Sequence, residues 1–145
     1  MELIERVLQL NVDEVNGIML DRSKFDMLLL LTDLIELTKL GAVKEVDFDL
    51  KYDDKDSFFI DADLSLLRNV FSNLFDNAIK YSDRTVKVEV RLFKKDSFLC
   101  IEVRDYGIGI SSTYHKEVFD MFFRVPHGDL HPVKGSGLGL AYVQQ

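Results

Sequence analysis

Several things are scarce in this 145-residue chain, and each scarcity removes a class of explanation. A single cysteine, Cys100, rules out a disulfide framework, and its alternating surroundings predict a packed, inert thiol in a reducing compartment. Apolar runs such as 27–31 are far too short to span a bilayer, and the N-terminus lacks a signal-peptide pattern, so the chain reads as a soluble piece. Positive charge is in deficit. The net charge is −7 and the basic residues are scattered, which argues against a nucleic-acid surface and leaves any nucleotide as a small molecule. Both prolines and all three histidines fall between Gly109 and Gly135. His115, His127 and His131 lack the spacing of a metal site and read as solvated loop residues. The better-known phosphate loops are missing too: there is no Gly-x-x-x-x-Gly-Lys-Ser/Thr, and Gly107-x-Gly109-x-x-Ser112 lacks the third glycine of a dinucleotide fingerprint. No internal repeat or low-complexity tract is present.

What remains is one domain's worth of chain, 47% apolar, enough to bury a core. Leu3, Ile4, Val7, Leu8 and Leu10 predict a helical turn or two, broken near Asn16-Gly17. A short strand is expected at 24–27, then a helix over 28–40 stopped by Gly41. Residues 46–52 alternate apolar against charged, as a half-buried strand does. Leu67, Val70, Phe71, Leu74, Phe75 and Ala78 recur at helical spacing, with Asp63 as a candidate cap. Val86, Val88, Val90 and Leu92 alternate in a strand that Lys94-Lys95-Asp96 turns into a second strand ending at Asp105. The mixture predicts an α+β fold, with helices on one face of a mixed sheet.

Four short motifs follow one another between residues 73 and 140. On the amphipathic helix, Asn73, Asn77 and Lys80 fall within about 60° of one another beside the apolar stripe. Amide oxygens are hard ligands suited to Mg²⁺ and a lysine neutralises phosphate, so this ridge suits a metal-bridged triphosphate; a merely solvated helix face is the plainer alternative. In Asp105-Tyr106-Gly107-Ile108-Gly109, Asp105 continues the apolar face of its strand. A carboxylate ending a buried row needs strong donors, either an adenine amino group or the backbone of the turn at Gly107. Phe119-Asp120-Met121-Phe122-Phe123-Arg124 lies in a stretch too long and too aperiodic for an ordinary connection, which reads as a lid or a disordered loop. Gly135-Ser136-Gly137-Leu138-Gly139-Leu140 precedes a helical run, and free N–H groups at a helix start can hold phosphate; a plain mobile loop is the alternative.

As a set, these residues resemble the catalytic, ATP-binding domain of bacterial two-component sensor histidine kinases, within the superfamily that includes gyrase-type ATPases. The resemblance covers about residues 20 to 145, with residues 72–82 similar to the N box, 105–109 to the G1 box, 119–124 to the F box and 135–140 to the G2 box. It implies a two-layer sandwich that binds Mg²⁺ and ATP and transfers the γ-phosphoryl group to a histidine. It further implies Asn77 as the metal ligand, Asn73 and Lys80 as phosphate or metal contacts, and Tyr81 as a wall against adenine. Asp105 would receive the adenine amino group, with Gly107 and Gly109 allowing close approach, and Gly135, Gly137, Leu138 and Gly139 would form the phosphate cradle. Arg124 would reach the terminal phosphate from a lid docked by Phe119, Phe122 and Phe123. Relatives that hydrolyse ATP typically carry Glu where Asn73 stands, so an ATP-hydrolysing conformational machine is the alternative reading, followed by a non-catalytic nucleotide sensor. No histidine precedes residue 115, so the phosphoacceptor is expected on another segment. Residues 1–20 would be the tail of the dimerisation helix and linker, and 21–145 a catalytic domain lacking its last strands. The resemblance also implies a homodimeric parent, a response-regulator partner, and a cytoplasmic domain of a protein anchored in the inner membrane.

Overall fold

A computed structural model describes residues 20–53, 55–83, 85–126 and 135–144. The helical turns expected near residues 3–10, and His127 and His131, lie outside the described residues. The order is β1 (Arg22–Asp26), α1 (Met27–Gly41), β2 (Glu45–Lys51), β3 (Phe59–Asp63), α2 (Leu64–Lys80), β4 (Thr85–Lys95), β5 (Phe98–Asp105), two single-turn 3₁₀ helices (Ser112–Tyr114 and Glu117–Phe119) and α3 (Gly139–Gln144).

A three-stranded sheet is ordered β2-β4-β5, with β2 parallel and β5 antiparallel to the central β4. This is the mixed sheet expected from the α+β order of helices and strands. Val86, Val88, Val90 and Leu92 of β4 are buried on the face that meets the helices, whereas Lys87 and Arg91 face solvent. Met27, Leu30, Leu31, Leu34 and Ile35 of α1 and Phe71, Phe75 and Ala78 of α2 complete the core at three-and-four spacing. The Phe75 ring meets Phe48 of β2 edge-on, with centroids 4.9 Å apart.

Several boundaries and one whole strand differ from the sequence expectation; β2, for instance, is Glu45–Lys51 rather than 46–52. The first strand is Arg22–Asp26 rather than 24–27, because the Asp26 carboxylate accepts from Leu28 N–H and starts α1 at Met27. Gly41 is the last residue of α1 rather than its stop, and Ala42 is the cap. Phe59–Asp63, which carries no clear apolar alternation, is a strand because it pairs with β1 in a separate two-stranded ribbon. At its end Asp63 does cap α2: one carboxylate oxygen accepts from Leu66 N–H at 3.0 Å and the other from Asp21 N–H at 2.9 Å. Those hydrogen bonds, Leu66 first, hold its pKa below the usual carboxylate value. At the other end of α2, Lys44 Nζ donates to the carbonyl of Ile79 in the last turn at 3.1 Å and to that of Ser82 just past the cap at 2.6 Å, which satisfies one helix-end acceptor and ties down the exit of the chain.

Candidate functional site

Helix α2 presents the first set of candidate residues. Its buried face holds Phe71, Phe75 and Ala78, which leaves Asn73 and Asn77 half-buried on a flank with carboxamides that have no hydrogen-bond partner among the described residues. Asn73 lies against the start of α3: a Cβ placed on Gly139 would sit 3.4 Å from Asn73 Oδ1. One turn earlier, Asn69 Nδ2 donates to the Tyr142 hydroxyl at 3.4 Å. Lys80 is exposed on the outward side, and its Nζ is 3.5 Å from the Asp76 carboxylate. The pair lines a groove between α1 and α2 whose lining includes neither Asn73 nor Asn77. So Lys80 shares the helix ridge with the two asparagines, but its ammonium is engaged one turn back.

The turn after β5 is stitched to the end of α2. Tyr81, half-buried at the helix cap, accepts from Ile108 N–H through its carbonyl at 2.9 Å. Gly107 packs so closely on that carbonyl oxygen that a Cβ at 107 would collide with it. Asp105 pairs across the sheet with Val88, so it does sit on the core-facing side. It is nevertheless exposed, not buried, at the end of β5, which lies at the edge of the sheet among the described residues. Its Oδ1 accepts from Gly107 N–H at 2.9 Å, the backbone partner that sequence reasoning left open. Gly109, with φ of +70°, has open space around it.

The third and fourth motifs meet through their backbones. Phe122, itself at φ of +65°, donates its N–H to the Gly137 carbonyl at 2.9 Å. Gly137 has φ of +74°, and a Cβ there would lie 2.7–2.9 Å from Phe122 backbone atoms. Leu138 is 2% exposed and anchors this crossing, whereas Gly135 meets nothing within 4 Å. Within the long connection, Phe123 packs on Tyr114 with centroids 5.9 Å apart, Phe119 is half-buried, and Phe122 and Arg124 are exposed. His115 is exposed as expected, with Nε2 3.0 Å from the Ile110 carbonyl.

Three contacts therefore join all four motifs: Tyr81 with Gly107 and Ile108, Asn73 with Gly139, and Phe122 with Gly137. No cluster of three or more His, Cys, Asp or Glu side chains able to hold a metal occurs among the described residues. The hard donors on this flank of α2 are the amide oxygens of Asn73, against the α3 start, and of Asn77, one helical turn further along the same helix. That set fits a cation such as Mg²⁺, which keeps several waters and shares its coordination with phosphate oxygens.

Two residues to which the sequence reading gave no role stand beside this site. The Tyr106 hydroxyl donates to Glu89 Oε1 on the outer face of the sheet at 2.9 Å. Glu89, whose side chain is 18% exposed, also faces Lys87 at 3.6 Å and Lys51 at 3.9 Å. The tyrosine hydrogen bond first, then the two lysines, hold its carboxyl below the usual range. Lys51 is correspondingly raised, mainly by its contact with Asp49. The signal was available, since alternation sends Tyr106 to the face opposite Asp105, where Glu89 projects.

Residues 62–145 match the family model described as histidine kinase-, DNA gyrase B-, and HSP90-like ATPase. The chain is 35% identical over 98% of its length to the sensor protein RprX of Bacteroides fragilis, of which it covers 28%. Among solved structures it is similar to the mycobacterial sensor histidine kinase MprB (TM-score 0.68, 28% identity, 85% of this chain and 76% of that one). It is also similar to full-length ShkA in complex with AMPPNP (TM-score 0.78, 25% identity, 99% of this chain and 29% of that one). The chain spans about a quarter of the length of the curated relatives it matches.

Proposed function

Because the chain belongs to the family of histidine kinase-, DNA gyrase B- and HSP90-like ATPases and its relatives are sensor kinases, we propose that it holds Mg²⁺-ATP for phosphoryl transfer to a histidine on a separate dimerisation domain. The observation that carries this reading is the joining of all four motifs through Tyr81, Gly107, Ile108, Asn73, Gly139, Phe122 and Gly137. In it, Asp105 accepts the adenine amino group through the carboxylate oxygen that Gly107 leaves open, and Tyr81 walls the base. Asn77 holds the cation and Asn73 a water or phosphate beside it. Backbone at Gly135, Gly137, Leu138 and Gly139 faces the phosphates. Lys80 leaves Asp76 to meet phosphate, and Arg124 approaches the terminal group from the lid.

The cation, when bound, neutralises phosphate charge, and the protein's own part is positioning. Asn73 is the discriminating residue. A carboxamide cannot take a proton from water, whereas a neutral histidine nitrogen already carries the lone pair it needs to attack phosphorus. The parent protein in this proposal is a homodimeric kinase anchored in the bacterial inner membrane that passes its phosphoryl group to a response regulator. No described helix of this chain is long and apolar enough to cross a membrane.

The test is to mix the chain with labelled ATP, Mg²⁺ and a separately prepared histidine-bearing dimerisation domain from the parent. Acid-labile phosphoprotein should form, phosphate release without that domain should be slow, and Asn77→Ala should abolish transfer. Rapid Asn77-dependent phosphate release with no histidine substrate would identify a hydrolase instead.

A further inference from the structure

Tyr106 stands between two residues with tasks on the nucleotide side, yet its own side chain leaves for the opposite face of the sheet. Asp105 precedes it and Gly107 follows it, and Gly107 is jammed against the Tyr81 carbonyl. The Tyr106 hydroxyl reaches Glu89 of the central strand at 2.9 Å. Its ring is flanked by Lys87 Nζ, 5.3 Å from the centroid, and by Arg104 Cζ, 5.1 Å from it. Glu89 is fixed in turn by Lys87 and Lys51, so the acceptor is not a mobile surface carboxylate. Half of the tyrosine remains exposed, so core packing does not explain these contacts.

We infer that Tyr106 is a positioning residue for the nucleotide site: its hydrogen bond to Glu89 pins the strand end from the outer face and thereby fixes the direction of the Asp105 carboxylate on the inner face. The physical reason is that Asp105 is the last residue of β5 and, among the described residues, is paired on one side only, with Val88 of β4. Beyond it the backbone is held on the inner face by the Tyr81 carbonyl, which accepts from Ile108, and on the outer face by Tyr106 alone among the described residues. With both anchors the segment from 105 to 108 cannot swing about either one. A ligating carboxylate needs such support, because angular freedom at the acceptor directly reduces the share of molecules ready to bind. The inference rests on the reading of Asp105 as the adenine acceptor.

The experiment is a double-mutant cycle on the whole chain, with ATP and GTP affinities measured by calorimetry and folding followed by thermal melting. Tyr106→Phe keeps the ring and its two cationic neighbours and removes only the hydroxyl. It should weaken ATP binding about three- to tenfold and narrow the ATP-over-GTP preference, with little change in melting temperature. In an Asp105→Asn background the same substitution should have almost no further effect, which a general loosening of the fold would not produce. Glu89→Gln should weaken ATP in the same direction as Tyr106→Phe, and the two together should not add. The inference is overturned if Tyr106→Phe binds ATP as the parent chain does, or if it weakens binding equally with and without the Asp105 carboxylate. A separate result, Asp105→Asn retaining full ATP affinity and preference, would remove the adenine reading itself and the inference with it.

Discussion

Gly135 and Gly137 illustrate how differently one residue type can be constrained. Gly137 occupies a left-handed backbone state and touches the Phe122 backbone, whereas Gly135 borders open space with no such φ. Gly137→Ala must accommodate an added carbon 2.7 Å from Phe122 C and a backbone state that costs L-residues about 1 kcal/mol. The expected outcome is loss of the Phe122–Gly137 hydrogen bond and weaker ATP binding, while the sheet and helices persist because Gly137 is not part of the main core. Gly135→Ala should leave stability within about 0.5 kcal/mol of the parent. Melting curves and calorimetry on the two variants check this, and equal behaviour would show that the crossing does not shape the site. Both glycines belong to a recognisable motif, but the neighbour that makes one of them irreplaceable comes from 15 residues away in sequence.

At the scale of elements, α2 is the beam to which the other motifs attach, and its ends are set by side chains from elsewhere. Lys44 closes the C-terminal end and Asp63 the N-terminal end, the latter also tying in Asp21 ahead of β1. The Asp63 carboxyl is depressed in the fold, so its contribution is present above its unfolded value near pH 4 and is lost as the pH falls through the lower folded value. Glu89 follows the same sign. Lys51, raised in the fold, contributes fully below its unfolded value and loses that contribution only as the pH rises through the folded one. We expect Asp63→Ala to lower the melting temperature at neutral pH, and the gap to the parent to shrink as the pH falls below the unfolded value and through the lower folded one. A gap that stays constant across the acid range would mean that the carboxylate charge is not what caps α2.

For the whole molecule, ligand binding and stability are one equilibrium. If the chain binds Mg²⁺-ATP as proposed, saturation at about a hundred times the dissociation constant adds about 2.7 kcal/mol, so the melting temperature should climb with nucleotide concentration. Asn77→Ala should lose the part of that rise that depends on Mg²⁺ and keep the part seen in a chelator. Its melting temperature without ligand should match the parent, since Asn77 lies outside the buried stripe of Phe71, Phe75 and Ala78. A variant that retains the full Mg²⁺ dependence would remove Asn77 as the ligand. These shifts belong to a chain that spans about a quarter of the length of its curated relatives, so they report on this domain and not on the assembly around it.

Patterns of local period were enough to determine the helix carrying Asn73 and Asn77 and the alternating strands β2, β4 and β5, because burial of one face imposes its period on the residues themselves, and the cap at Asp63 was legible from its residue type and place. The order of the four motifs likewise marked the family without coordinates. Tertiary structure alone decided what no local window contains. Phe59–Asp63 is a strand only through β1, Asp105 is exposed although it pairs with the buried Val88, and Lys80 turns to Asp76 rather than to the asparagines. The Tyr106–Glu89 and Phe122–Gly137 contacts join residues 17 and 15 positions apart, and such pairings depend on where whole elements dock rather than on the preferences of the residues that meet.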